Sequence, residues 1–237
     1  MTVSIGPENG QRFARGPRIA PPLLFTALGS LAGFLAGCTG LFHSNARPEQ
    51  VYYLRATPAP QGAAAPRPVA ASLRFSRPIA NPGLESAHIV LVQSDRRMSY
   101  FLASRWPAPT SSMVETLAVE KLRASGLWQS VADSTSAFPS DYVLQVTVRR
   151  FEADYTSGGN APDVHVVLDC IVGKREGREV IASLVAEGSA TAAANRLSAV
   201  VAAFETAANT AVDSLSAQTL EAVRISMTHQ GAQQRKE

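Results

Sequence analysis

The chain has only two cysteines in 237 residues, Cys38 and Cys170. One pair cannot make the disulfide framework that holds small secreted domains together, so the fold must rest on a hydrophobic core. Histidine is scarce as well. His43, His88, His165 and His229 are far apart in sequence, and no pair has the spacing of an HExxH metal site. There is no Gly-rich phosphate loop and no GxSxG nucleophile elbow. These absences speak against a zinc hydrolase, a P-loop nucleotide enzyme and an α/β-hydrolase. They predict no catalytic residues, no metal and no cofactor. Charged residues make up 17% of the chain, below the usual quarter, while apolar residues reach 46%. That balance favours a folded domain over a disordered one.

The long uncharged stretch lies at the start. Residues 1–18 carry Arg12, Arg15 and Arg18 against one acid, Glu8, and no charge follows from Ile19 to Gly37. A positive start, an apolar middle and small residues at the end are the pattern of a secretory signal. Nineteen uncharged residues could also span a bilayer. Pro21 and Pro22 weaken the first turns of such a helix, and no basic stop-transfer cluster follows. Leu35-Ala36-Gly37-Cys38 resembles the lipobox of bacterial lipoproteins. Small side chains at Ala36 and Gly37 suit entry into a peptidase, and the Cys38 thiol suits a thioether-linked diacylglycerol. Residues 1–37 are therefore expected to be removed, leaving acylated Cys38 as the anchor. The resemblance further implies that Thr39, where an Asp would favour retention in the inner membrane, directs the protein to the outer membrane.

Removing that segment changes the charge argument. The whole chain has 22 basic and 19 acidic residues. Without three arginines and Glu8, 19 face 18, a net charge of +1, so the basic pI gives no case for a nucleic-acid partner. About 200 residues remain, enough for one domain. With Cys38 acylated, Cys170 has no partner, and its apolar setting predicts a core residue.

Residues 38–50 read as a tether and Val51–Leu54 as a short strand. Pro58, Pro60, Pro66 and Pro68 then mark an extended linker. Alternation predicts a strand over 71–77, a nearly all-apolar run predicts one over 88–93, and 98–103 reads as its hairpin partner, with turns at Asn81-Pro82-Gly83 and Asp95-Arg96-Arg97. Ser112 and Glu115 fit a capping box that opens a helix with Val114, Leu117, Ala118 and Leu122 inward and Gly126 as its left-handed stop. A short strand over 127–131 is expected to leave Trp128 half-buried. Three long strands are predicted from Tyr142, with a bulge at Arg149-Arg150 and a charged tip at Gly177. Asn195 is placed to cap a final helix with Leu197, Val201, Phe204, Ala208, Ala211 and Leu215 on one face, ending near Arg224. Its Ala-rich opposite face leaves an oligomer seam open as an alternative to simple core packing. Residues 226–237 read as a disordered tail. The expected fold is α+β: a mixed, mostly antiparallel sheet covered by two main helices, one mid-chain and one long and C-terminal.

Two local features invite a chemical reading. Glu152 and Asp154 share a strand face, as an acid–base pair would, although a solvated face is the simpler account. Tyr100, Arg105 and Trp106 are candidate partner-binding residues, because aromatics and Arg dominate binding hot spots. Trp106 could equally plug the core.

Five segments carry a broader resemblance: Tyr52-Tyr53-Leu54, Gly83 to Val90, Tyr100-Phe101-Leu102-Ala103-Ser104-Arg105-Trp106, Phe151 to Tyr155, and Val200 to Glu205. In this order, behind a lipobox, they resemble the ABC-type transport auxiliary lipoprotein family over residues 51–225. The resemblance implies an accessory lipoprotein of an MCE-type or paraquat-inducible ABC system that moves lipids or other hydrophobic molecules between the membranes. It implies docking to an MCE-domain periplasmic protein and, through it, to the permease and ATPase. It also allows a homo-oligomer, and it brings no catalysis. Another envelope assembly or pilotin-like lipoprotein remains the alternative.

Overall fold

The structure is a computed structural model, which describes residues 48–58 and 67–234. Residues 48–237 make up one compact unit. The signal segment and Cys38 lie outside the described residues.

The organising strand is β7 (Tyr142–Asp154), 13 residues long. Tyr142, Leu144, Val146 and Val148 alternate inward, as the period-2 pattern requires. Its bulge falls between Val148 and Arg150, where the sequence phase breaks. One edge of β7 pairs antiparallel with β8 (Asp163–Lys174), which pairs antiparallel with β9 (Glu179–Thr191). The other edge is shared by three strands in succession. β2 (Val69–Phe75) pairs at 142–144, β3 (Ile79–Ala80) at 147–148, and β4 (His88–Val92) at 153–154, all parallel to β7. β2, β3 and β4 are thus one interrupted strand, broken near Pro78 and Pro82, neither of which has an N–H to give to a ladder. β6 (Trp128–Ala132) lies outside β2. β5 (Met98–Arg105) lies outside β4, and β1 (Gln50–Val51) lies outside β5. The result is a nine-stranded mixed sheet, in which three antiparallel ladders hold most of the paired residues.

Helix α1 (Thr110–Ala124) packs on β6 and β7. The expected apolar face is correct, and Gly126 follows it with φ +63°. The expected capping box does not form. Pro109 precedes the helix, and the Thr110 amide and hydroxyl both donate to the Ser86 carbonyl. Glu115 instead accepts from the Ser134 amide at 2.6 Å. Trp128, expected to be half-buried, is buried.

Helix α2 (Leu197–Gln234) is 38 residues long, about 57 Å at 1.5 Å per residue. It packs on β9, β8 and β7 and meets α1. Asn195 does not open it as expected: its side-chain oxygen accepts from the Tyr155 hydroxyl at 2.9 Å. Nor is the expected tail disordered up to Gln234, because the helix runs through it. A long helix extends at little cost per residue once formed. Of the expected face, Phe204, Ala208, Ala211 and Leu215 are buried and Leu197 and Val201 pack against the core at its edge, while Val200, Ala203, Ala207 and Val212 widen the buried stripe. The alanines bring its backbone close to the sheet.

Candidate functional site

Three of the five segments that carry the family resemblance meet in one aromatic cluster, to which they give Trp106, Phe151 and Phe204. The indole lies 5.9 Å from Phe151 and 5.3 Å from Phe204, both edge-to-face, and the two phenyl rings stack at 5.1 Å. Trp106 is 0% exposed. Its place among the partner-binding candidates is therefore corrected: it is the core plug. The segment is anchored further by the Trp106 amide, which donates to the Ala87 carbonyl at 2.7 Å.

The strand that leads into that plug presents a different surface. β4 and β5 are joined at Gln93–Arg97, where Arg96 takes φ +67° and Asp95 accepts from the Arg97 amide and Nε. Val92 faces Met98 and Val90 faces Tyr100, but the next pair is His88 with Arg105. Between these pairs β4 advances two residues and β5 five. The excess arches out as a wide bulge, closed by the Ser104 hydroxyl donating to the Phe101 carbonyl at 3.0 Å. Ala103 there has φ +50°, costly for a residue with a Cβ. The side chain raised on this arch is Leu102, 93% exposed.

Beyond the arch, β5 is an edge. β1 pairs only with Ser104 and Arg105, so no strand among the described residues covers Met98 to Ala103. Along it Met98, Tyr100 and Leu102 are all exposed, and Val51 and Tyr53 are exposed on the segment beside it. Native edges are usually blunted by charge, proline or brevity; this one offers apolar side chains on open backbone. Tyr100 is steadied by the His88 ring at 4.7 Å. Arg105 is half-engaged, with its Nε 3.2 Å from Glu49. A pocket of about 230 Å³ opens where β5 and β1 end, lined by Tyr53, Leu54, Pro107, Met113 and Leu117. It has the size of one large apolar side chain. Sequence reasoning chose Tyr100 and Arg105 but missed Leu102, because the apolar run Tyr100-Phe101-Leu102-Ala103 has no polar–apolar phase for the bulge to break.

The alternative chemistry does not assemble. Glu152 and Asp154 share the guanidinium of Arg150, at 2.7 and 3.0 Å. Burial pushes the Asp154 carboxyl up, but the Thr156 side chain and amide and Arg150 outweigh it, and its pKa falls below the ordinary value. A carboxylate held ionised in this way is a poor proton donor. Arg149 is bound to Asp169 and Glu187. Cys170 is buried, and burial with the Asp169 charge beside it pushes its thiol up to about 12. Among the described residues no three His, Cys, Asp or Glu side chains gather as metal ligands. No helix among them is long and apolar enough to cross a membrane.

The family model described as the ABC-type transport auxiliary lipoprotein component matches residues 52–216. The chain belongs to this family. As an ABC-type transport auxiliary lipoprotein it is an accessory component, associated with an ABC transport system and membrane-anchored in the cell envelope; its family is not a known enzyme family. Among solved structures it is similar to a Xanthomonas campestris protein of the family DUF330. The two share 26% identity and a TM-score of 0.68, over 76% of this chain and 99% of the other. An uncharacterized protein has the same fold at 16% identity and a TM-score of 0.54, over 75% and 99% of the two chains. No curated protein matches.

Proposed function

We propose that this lipoprotein is the docking component of an MCE-type ABC system that moves lipids or other hydrophobic molecules between the membranes. Acylated Cys38 holds it on the outer membrane, facing the periplasm. Its partner is the MCE-domain periplasmic protein and, through it, the permease and ATPase. It binds and does not catalyse.

The observation that carries this reading is the β5 edge. Open backbone from Met98 to Ala103, the raised Leu102 and the neighbouring side-chain pocket are the parts used when a partner adds a strand to a sheet. Main-chain hydrogen bonds then supply affinity, and the pocket supplies selectivity. Tyr100 and Arg105 flank the arch, where an aromatic and a guanidinium contribute most.

Affinity capture of the full-length lipoprotein from intact envelopes tests the reading. It predicts recovery of an MCE-domain protein with the wild-type chain and at least about tenfold less with Leu102→Asp, a loss of roughly 1.4 kcal/mol. Capture of a different envelope assembly in its place would favour the pilotin-like alternative.

A further inference from the structure

Residues 52–57 leave β1 as an extended arm and lie on the helices. Tyr52, Leu54 and Ala56 pack inward, while Tyr53, Arg55 and Thr57 face out. The arm is held through its backbone. The Arg55 amide donates to Glu205 at 3.0 Å, and the Thr57 amide donates to Asn209 Oδ1 at 2.8 Å. Asn209 Nδ2 donates in turn to the Arg55 carbonyl at 2.8 Å and to the Glu205 carbonyl at 2.8 Å.

Asn209 is 4% exposed and sits about a third of the way along α2, about 150 residues from the arm in sequence. Its amide gives two bonds and takes two, the second acceptance being from Lys121 Nζ at 3.1 Å. Lys121 is itself buried, with its charge met by Asp213 at 2.7 Å. An asparagine kept only to satisfy the core would bond its surroundings in the core. This one spends half its capacity on the main chain of a distant segment.

We propose that Asn209, backed by Lys121, is a positioning residue: it clasps the arm that continues β1 and so keeps β1 seated on the end of β5. β1 pairs with Ser104 and Arg105, and the Tyr52 amide that opens the arm donates to the Arg105 carbonyl at 2.9 Å. Release of the arm would loosen this pairing and open Ser104 and Arg105, so the clasp sets how much of the docking edge is covered. The clasp stands on its own geometry; its effect on docking rests on the function proposed above.

Hydrogen exchange of the full-length lipoprotein, read on the peptide spanning Tyr52–Pro58, tests the clasp. Asn209→Ala should speed exchange at Arg55 and Thr57 at least about tenfold while the β7–β8 amides stay as slow as in wild type. Asn209→Asp keeps the acceptor for Thr57 and Lys121 but loses both donors, and should fall between the two. Wild-type arm amides that exchange as fast as in Asn209→Ala, or a variant in which all slow amides accelerate together, would overturn the clasp. Partner capture separates the two layers. If the arm is released and capture is unchanged, the positioning role is overturned while the docking reading stands. If wild type captures no partner, the docking reading fails and the clasp is judged by exchange alone.

Discussion

Gly188 on β9 lies directly beneath Ala207 on α2. A Cβ at Gly188 would overlap the Ala207 carbonyl oxygen and come within 2.8 Å of the Ala211 amide nitrogen. Both obstacles are helix backbone, which cannot swing aside. Gly188→Ala should therefore destabilise the domain by about 3 kcal/mol. For a domain of this size that is a fall of roughly 6–12 °C in Tm, measurable by thermal unfolding. An unchanged Tm would mean that α2 does not sit this close to the sheet.

Trp106 should behave as a core residue. Trp106→Ala removes the edge-to-face partner of both Phe151 and Phe204 and should cost about 3–5 kcal/mol. Near-ultraviolet circular dichroism should lose most of its aromatic signal. A folded, stable Trp106→Ala variant that failed only in partner capture would put the indole back on the surface.

Cys170 should be inert in the native protein. Its thiol, pushed up to about 12, stays protonated at neutral and mildly alkaline pH. Alkylation by iodoacetamide should be negligible in the folded state and rapid after denaturation. The folded-state pKa lies above the ordinary value of 9, so the unfolded chain loses this proton first as pH rises. The contribution is whole below pH 9 and is lost between about 9 and 12. Cys170→Ala should flatten this part of the stability profile; an unchanged alkaline slope would assign it to other groups.

Cys38→Ala should leave residues 48–237 folded but release the protein from the envelope membrane fraction, because the proposed acyl anchor is gone. Retention of the variant in membranes through an uncleaved apolar segment would make the anchor a span.

Much of this fold is written in the sequence, and the parts that are not share a cause. β7, β8 and β9 were legible because each has one face in the core, so alternation reports them directly. The bulge at Arg149-Arg150 showed as a break in phase. The in-line course of β2, β3 and β4 was hidden, since two-residue β3 has no periodicity and its place depends on the β7 register. The Ser112–Glu115 pattern misled because local capping competed with better partners, the Ser86 carbonyl and the Ser134 amide, that only tertiary structure brings near. The docking edge was half legible. Tyr100 and Arg105 drew notice by residue type, whereas Leu102 matters through the bulge that lifts it. Asn209 gave no sign at all: one polar residue in a long helix is ordinary until the arm is seen across it.

The β5 edge is the proposed meeting place of this auxiliary lipoprotein and its transporter. Site-specific photo-crosslinking in living cells tests it most directly, with a benzophenone amino acid at Leu102 and a control at Glu176 on the exposed β8–β9 tip. Crosslinking of an MCE-domain protein from position 102 and not from 176 is the result predicted here. Crosslinks to that protein from 176 alone, or none from 102 while the transport system is assembled and active, would contradict it.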